Sequence, residues 1–286
     1  MIHPLLLACR PKTLWAGICP VILGGILAWH HHVFALWPWL AAALAALFIQ
    51  IGTNFANDYF DFIKGADTAD RIGPTRATQA GLIKPQHMKN AFIAAFGIAA
   101  CFGLYLVAVG GLPILMIGLL SIVCGILYTG GPFPLAYMGL GDLFVLIFFG
   151  PIAVAGTVYV QSGSWSPEAW LLGLAPGLFS VAILAINNLR DLQQDRIAHK
   201  KTLAVRFGKR TARLEITLAL VLGSAIPFLI HPTPVHALPL LTLIPALPIL
   251  NWVWRQEGAI LNQALARTGQ LLLLFTALTS IAWALQ

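Results

Sequence analysis

The chain is a succession of long apolar stretches separated by short polar connections. A stretch of roughly 20 apolar residues is long enough to cross a bilayer as an α-helix. The pattern therefore predicts an all-α membrane protein, a bundle of about nine transmembrane helices in a single domain over residues 1–286. The predicted spans cover residues 13–31, 36–61, 88–109, 112–129, 140–161, 168–190, 212–230, 236–254 and 268–285.

Composition supports this interpretation. The chain is 59% hydrophobic and 9% charged, with a mean hydropathy of +0.83, which excludes an ordinary soluble domain. Its formal net charge of +7 is typical of a surface that faces membrane lipid and anionic ligands. We expect no nucleic-acid partner, because no basic helix carries interleaved aromatic residues.

The positions of lysine and arginine predict the topology. These residues precede the first span and lie between spans 2 and 3, 6 and 7, and 8 and 9. With nine spans, all of these connections lie on one side of the bilayer. Because positively charged loops remain in the cytoplasm, we expect the N-terminus and these loops to be cytoplasmic.

A first acidic cluster ends the second predicted span. Asn54, Asp58 and Asp61 are spaced by four and three residues, so a helix places them on one face, with Asn57 beside it. Hard oxygen ligands of this kind suit Mg²⁺, which takes a few carboxylates together with phosphate oxygens. The alternative is a solvated helix end, although acids at a helix C-terminus oppose the helix dipole.

The connection after this cluster contains glycine and proline, which rule out one continuous helix. Asp67 is a candidate further metal ligand. Arg71 and Arg76 can each form paired hydrogen bonds to phosphate oxygens. The alternative for each arginine is a solvated, positively charged cytoplasmic loop.

A second acidic cluster ends the sixth predicted span. Asn187, Asp191 and Asp195 are spaced by four and four residues, again on one helical face, and Asn188 adds an amide close by. A run of cations that includes Lys201 follows. Membrane electrostatics alone can explain such a run. Two acidic faces that meet at one membrane boundary favour a divalent-cation site for a diphosphate, because intramembrane acids are costly and mark function.

Several short stretches stand out when the motifs are taken together. They are Arg10-Pro-Lys-Thr-Leu14, Asn57-Asp-Tyr-Phe-Asp61 with Lys64-Gly-Ala-Asp67, Gly73-Pro-Thr-Arg76 with Gln79-Ala-Gly81, Leu127-Tyr-Thr-Gly-Gly-Pro132, and Asn187-Asn188 with Leu203-Ala-Val-Arg-Phe-Gly208. This set resembles the UbiA superfamily of intramembrane prenyltransferases over nearly the whole chain. Within that superfamily it is most similar to the branch of menaquinone synthesis that uses 1,4-dihydroxy-2-naphthoate.

The chain departs from the broad superfamily at two places. Asn54 and Asp58 fit the usual spacing of the first motif, but Phe62 occupies the place of its second aspartate. Pro132 stands four residues after Tyr128, where the superfamily often has a basic residue. At both places the sequence is similar to that of the menaquinone branch.

The resemblance implies a fold and an activity. The expected enzyme is a Mg²⁺-dependent transferase of the bacterial inner membrane, with its active site facing the cytoplasm. It moves a polyprenyl chain from polyprenyl diphosphate to 1,4-dihydroxy-2-naphthoate, with loss of carbon dioxide. The implied metal ligands are Asp58, Asp61, Asp67, Asp191 and Asp195. The implied substrate-binding residues are Lys12, Asn54, Asn57, Lys64, Arg71, Arg76, Asn187, Asn188, Lys201 and Asp142.

Two of the implied roles have structural alternatives. Tyr128 is a candidate for stabilising the cationic allylic carbon through its ring face, and ordinary core packing is the alternative. Asp142 is a candidate contact to the acceptor or to a basic residue. The alternative is an acid at a helix start, where it is favourable to the helix dipole.

Other functions compatible with the pattern are an aromatic prenyltransferase with a 4-hydroxybenzoate or homogentisate acceptor, a CDP-alcohol phosphotransferase and a membrane cation transporter. A CDP-alcohol phosphotransferase packs its acids into one continuous segment, whereas this chain has two distant ones. A transporter favours acids near the bilayer midplane, whereas here they lie at one boundary beside basic loops.

Overall fold

The computed structural model describes residues 4–66 and 72–286. Its α-helices are α1 Pro4–Ala8, α2 Pro11–His30, α3 Leu36–Ile63, α4 Pro85–Leu127, α5 Leu135–Met138, α6 Gly141–Phe148, α7 Pro151–Ser162, α8 Pro167–Arg190, α9 Leu192–Ile197, α10 Leu203–Ile230, α11 Leu243–Arg255 and α12 Leu261–Ala284. Short 3₁₀-helices cover Val235–Thr242 and Gly258–Ile260. These ranges contain no β-strand, so the predicted all-α class is confirmed.

Eight helical segments of the described chain are long and apolar enough to cross a membrane. One of them, α4, has 43 residues, about 65 Å at 1.5 Å per residue, or twice a bilayer core. Gly111 interrupts it with φ 68° and ψ −154°, a left-handed conformation that glycine adopts without strain.

The two halves of α4 pack against each other. A Cβ placed on Gly125 would lie 3.3 Å from Cζ of Phe96, although the two residues are 29 positions apart in the sequence. The chain therefore reverses direction near Gly111, between the predicted spans 88–109 and 112–129. This reversal supports nine spans; the count and the cytoplasmic N-terminus stay predictions.

The main hydrophobic core is built around α8, which is the most buried of the candidate spans. Phe179 of α8 packs against Phe275 of α12 with ring centroids 4.8 Å apart, and both are fully buried. The backbone of α8 lies in close contact with the start of α7. A Cβ at Gly173 would lie only 2.6 Å from Cα of Pro151. Small residues allow this approach between apolar helices.

A hydrogen-bonded cluster joins several helices at the N-terminal end of α8. Glu168 accepts hydrogen bonds from Nε2 of His31 at 3.0 Å, Nε2 of His231 at 2.9 Å and Nε1 of Trp283 at 3.0 Å. These donors lie at or near the C-terminal ends of α2, α10 and α12. The acidic residues of the second motif lie at the other end of α8.

Candidate active site

One cavity of about 490 Å³ lies between α2, α3, α4, α6, α7 and α8. Most of its wall is apolar and combines large residues such as Leu106 and Phe149 with small ones such as Gly17, Ala45 and Gly156. Its polar end is formed where α3 and α8 finish. The ionisable and amide side chains of that end are Arg10, Asn54, Asn57, Asp61, Arg76, Tyr128, Asn187, Asn188, Asp191, Gln194, Asp195 and Lys200.

The structure brings the two acidic clusters together at this end. Nζ of Lys200 lies 3.6 Å from Oδ1 of Asp61 and 3.8 Å from Oδ1 of Asp195. Asp61 belongs to the first cluster and Asp195 to the second, and 134 sequence positions separate them. One lysine side chain thus contacts both acidic faces.

Asp61 is the most heavily contacted carboxylate of the first cluster. It is 1% exposed and accepts hydrogen bonds from Nη2 of Arg76 and from the hydroxyl of Tyr137, each at 3.1 Å. Arg76 itself is buried. This arrangement places two fixed cations and a phenol around one carboxylate at the end of the cavity.

Asp58 faces a different direction from Asp61. Its two oxygens accept the backbone N–H groups of Ala77 and Thr78, each at 3.0 Å, and its side chain is not part of the cavity wall. The carboxylate therefore holds the loop that carries Arg76. Spacing on α3 correctly put Asp58 near Asp61, but the loop that folds over the helix end determines what each of them contacts.

The two amides of the first cluster line the cavity and are anchored to neighbouring segments. Nδ2 of Asn54 donates to the carbonyl of Cys9 at 2.9 Å. Oδ1 of Asn57 accepts from Oγ1 of Thr129 at 2.8 Å. Both amides are buried.

In the second cluster, Arg190 organises the side chains around it. Its Nε and Nη2 donate to both oxygens of Asp191, at 2.7 and 2.5 Å, and Nη2 also donates to Oδ1 of Asn187 at 2.7 Å. Asn187, Asn188, Asp191 and Asp195 all line the cavity, as the four-residue spacing predicted.

Tyr128 lines the cavity next to a recess of about 10 Å³ that Asp142 borders. Burial raises the pKa of the Tyr128 hydroxyl, and the carboxylates of Asp142, Asp195 and Asp61 raise it further. The Asp142 carboxyl lies close to that of Glu215 on α10. Asp142 therefore has a second acid beside it, and its expected contact with the acceptor or with a basic residue stays a prediction.

The remaining predicted lysines lie at the margin of the site. Nζ of Lys64 donates to the carbonyl of Thr129 at 2.6 Å and lies 4.8 Å from the centre of the Tyr137 ring. Burial lowers the pKa of Lys64, although nearby Asp61 acts in the opposite direction. Lys12 and Lys201 are exposed and are not part of the described cavity wall. The predicted residues Asp67 and Arg71 lie outside the described residues.

Sequence reasoning missed several residues of the candidate site. Arg10 and Lys200 line the cavity near positions that were chosen instead, Lys12 and Lys201. Each of them lies within two residues of the lysine that was chosen, so the sequence did indicate the right segment. No sequence signal indicated Tyr137, because it lies in the short helix α5, far along the chain from either acidic motif.

The donor set fits Mg²⁺ when it is shared with a phosphate ligand. Among residues 4–66 and 72–286, no group of three Asp, Glu, His or Cys side chains is close enough to hold a metal by itself. Asp61, Asp191 and Asp195 nevertheless present hard oxygens to one cavity. Mg²⁺ is commonly bound by one or two carboxylates plus substrate phosphates, so a divided set of carboxylates is compatible with it.

A helical membrane bundle whose apolar cavity ends in a cluster of charged side chains suits a ligand with an ionic head and an apolar tail. Comparison with known proteins identifies the family: residues 18–278 match the model of the UbiA prenyltransferase family. The chain therefore belongs to the UbiA prenyltransferase family.

Relatives and solved structures agree with this assignment. The chain is 43% identical over 223 residues to 1,4-dihydroxy-2-naphthoate octaprenyltransferase of Escherichia coli, covering 76% of this chain and 72% of the relative. It is 37% identical over 222 residues to the Mycobacterium tuberculosis protein of the same name, covering 77% and 75%. Its fold matches a UbiA homologue from Archaeoglobus fulgidus, solved with GPP and Mg²⁺, with TM-score 0.69, 16% identity and coverage of 98% and 99%.

Proposed function

We propose that this prenyltransferase moves a polyprenyl chain from polyprenyl diphosphate to 1,4-dihydroxy-2-naphthoate, with loss of carbon dioxide, to give demethylmenaquinol, the reduced form of demethylmenaquinone. Curated relatives named for this reaction support the acceptor. The structural observation that carries the proposal is a cavity with both acidic clusters, the buried Arg76 and the partly buried Lys200 at one end and an apolar wall beyond.

The charged end is the proposed diphosphate site. Asp61, Asp191 and Asp195 are the residues that would hold Mg²⁺ there. The predicted ligands Asp58 and Asp67 belong to the first acidic motif with Asp61. Asp58 holds the loop of Arg76 outside the cavity wall and Asp67 lies outside the described residues, so the metal role of each stays a prediction. Bound Mg²⁺ neutralises negative charge on a departing diphosphate. Arg76 and Lys200 add fixed positive charge at the place where negative charge develops, without reorganisation during the reaction.

Bond changes follow from this arrangement. The allylic carbon–oxygen bond of the donor breaks, and the diphosphate leaves with the electron pair. The acceptor ring attacks the electron-poor allylic carbon, and the acceptor carboxylate leaves as carbon dioxide. Tyr128 lines the cavity where its ring face can stabilise positive charge, an effect of about 0.5–2 kcal/mol.

The apolar wall is the proposed path of the prenyl chain. Its small side chains leave space between α3, α4 and α7, as a long, methyl-branched chain of isoprene units requires. The charge distribution of the connections supports a charged end that faces the cytoplasm. The bacterial relatives support a location in the bacterial inner membrane.

The direct test uses purified protein with 1,4-dihydroxy-2-naphthoate and prenyl diphosphates of several lengths, with and without Mg²⁺. Products are identified by mass spectrometry. The expected result is a Mg²⁺-dependent prenylated product that has lost the mass of carbon dioxide. Parallel reactions with 4-hydroxybenzoate and homogentisate test the acceptor; preference for either of them would overturn the proposal.

A further inference from the structure

The side chain of Asn262 connects the two parts of the active site, although it belongs to neither acidic motif. It lies in the first turn of α12. Its Oδ1 accepts a hydrogen bond from Nη1 of Arg190 at 2.7 Å. Its Nδ2 donates to the backbone carbonyl of Ile72 at 3.1 Å. The side-chain amide of Asn262 therefore accepts a hydrogen bond through its oxygen and donates one through its nitrogen, to two different segments of the chain.

On one side, this amide completes the environment of Arg190. The Arg190 side chain is 0% exposed and donates to Asp191, Asn187 and Asn262. A buried guanidinium needs its N–H groups satisfied, and its planar fork fixes the orientation of the groups it contacts. Asn262 contacts Arg190 on the side of the guanidinium that faces away from Asp191. Because Arg190 in turn holds Asp191, the position of the cavity-lining Asp191 carboxylate depends on the amide of Asn262.

On the other side, Asn262 holds the loop between α3 and α4. Ile72 is four residues before Arg76, whose guanidinium reaches Asp61. Asp58 holds the same loop at Ala77 and Thr78. The loop is thus fixed at two places, one on α3 and one on α12.

We propose that Asn262 and Arg190 form a positioning unit for prenyl transfer: Arg190 orients Asp191 and Asn187, and Asn262 keeps them in register with the loop that presents Arg76. This inference rests on the proposed function, because it concerns the geometry of the diphosphate site. Neither residue touches the reacting atoms in this role.

Misplacement of groups that surround a metal or phosphate ligand reduces binding or activity by about 10- to 100-fold. Asn262→Leu keeps a similar volume and removes both hydrogen bonds. Asn262→Asp keeps an oxygen acceptor for Arg190 and removes the donor to Ile72. The neighbouring Gln263 is exposed on α12, so Gln263→Leu is the matched control.

The test measures Mg²⁺-dependent binding of inorganic pyrophosphate by calorimetry, kcat and KM for the prenyl diphosphate, and amide hydrogen exchange of residues 72–83. We expect Asn262→Leu to weaken pyrophosphate binding and lower kcat/KM by about 10- to 100-fold. Asn262→Asp is expected to give faster exchange in residues 72–83 and a raised KM with a smaller change in kcat. Gln263→Leu is expected to match the parent.

A folded Asn262→Leu protein with pyrophosphate affinity and kcat/KM within about twofold of the parent would overturn the positioning role. If that variant does not fold, Asn262→Asp decides, and unchanged exchange and KM in it would overturn the link to the loop. Failure of the proposed function is distinguishable, because the unmodified protein would then form no prenylated naphthoate product.

Discussion

Lys200 offers the sharpest test of the site, because its ammonium group lies between the two acidic clusters. Lys200→Met keeps the apolar stem and removes only the charge. Nζ lies 3.6 Å from Asp61 and 3.8 Å from Asp195, and its side chain is 15% exposed. The substitution therefore leaves two carboxylates at the cavity end without the cation that they share.

The size of the effect follows from Coulomb's law. With an effective dielectric constant of 20, a unit charge at these distances attracts each carboxylate by about 4–5 kcal/mol before desolvation is subtracted. Even a third of one such attraction, about 1.4 kcal/mol, corresponds to a tenfold change in an equilibrium constant. Removal of the Lys200 charge therefore strengthens the binding of a divalent metal and weakens the binding of a diphosphate.

We expect Lys200→Met to bind Mg²⁺ alone at least tenfold more tightly, because a competing cation is gone. We expect its kcat/KM for the prenyl diphosphate to fall about 100-fold, because fixed positive charge at the leaving group is lost. Calorimetry with Mg²⁺ alone and steady-state kinetics measure the two effects. Lys201→Met is the matched comparison, since Lys201 is exposed.

The reasoning about Lys200 would be refuted if Mg²⁺ affinity in Lys200→Met stayed equal to that of the parent or decreased. It would also be refuted if Lys201→Met lowered kcat/KM as strongly as Lys200→Met. In that case the sequence-based choice of Lys201 as the diphosphate contact would be correct.

Three further predictions concern other parts of the molecule. Tyr137→Phe removes the hydroxyl that donates to Asp61, worth about 1.5–3 kcal/mol for a bond to a charged group, so steady-state kinetics should show kcat/KM reduced about tenfold or more. Glu168→Gln leaves one oxygen for three donors, so thermal denaturation should show a loss of about 1–3 kcal/mol with kcat/KM unchanged; an unchanged melting temperature would contradict a stabilising role for the hydrogen-bonded cluster around Glu168. Gly111→Val puts a β-branched side chain at φ 68°, and denaturation should show a loss of more than about 1 kcal/mol; equal stability would contradict the chain reversal there.

The sequence predicted the fold with few assumptions. Apolar length and hydropathy gave most spans within a few residues, because backbone groups in a bilayer must be satisfied within helices. The predicted spans 212–230 and 268–285 begin too late, since α10 starts at Leu203 and α12 at Leu261. The reversal inside α4 was anticipated as a gap between two spans at 110–111. The pattern could not indicate how the two halves pack, since Phe96 and Gly125 meet only in the folded chain.

The candidate site was also partly predictable, where it depends on residues that are close together in the sequence. Helical spacing placed Asn187, Asp191 and Asp195 on one face, and the structure shows all three in one cavity wall. Between α9 and α10 the chain is irregular, with His199 at φ 56°, and no period indicates which of two adjacent lysines turns inward. The selection of Lys200 is a consequence of that local backbone conformation.

By itself, the sequence determined that this protein is a membrane-embedded helical bundle with two oxygen-rich faces at helix ends, because both properties depend on residues near one another along the chain. The tertiary structure alone decided that Asp58 holds a loop while Asp61 faces the cavity, and that Tyr137 and Asn262 join the site. Those assignments depend on contacts between segments tens to nearly two hundred residues apart, and such contacts exist only after the helices have packed.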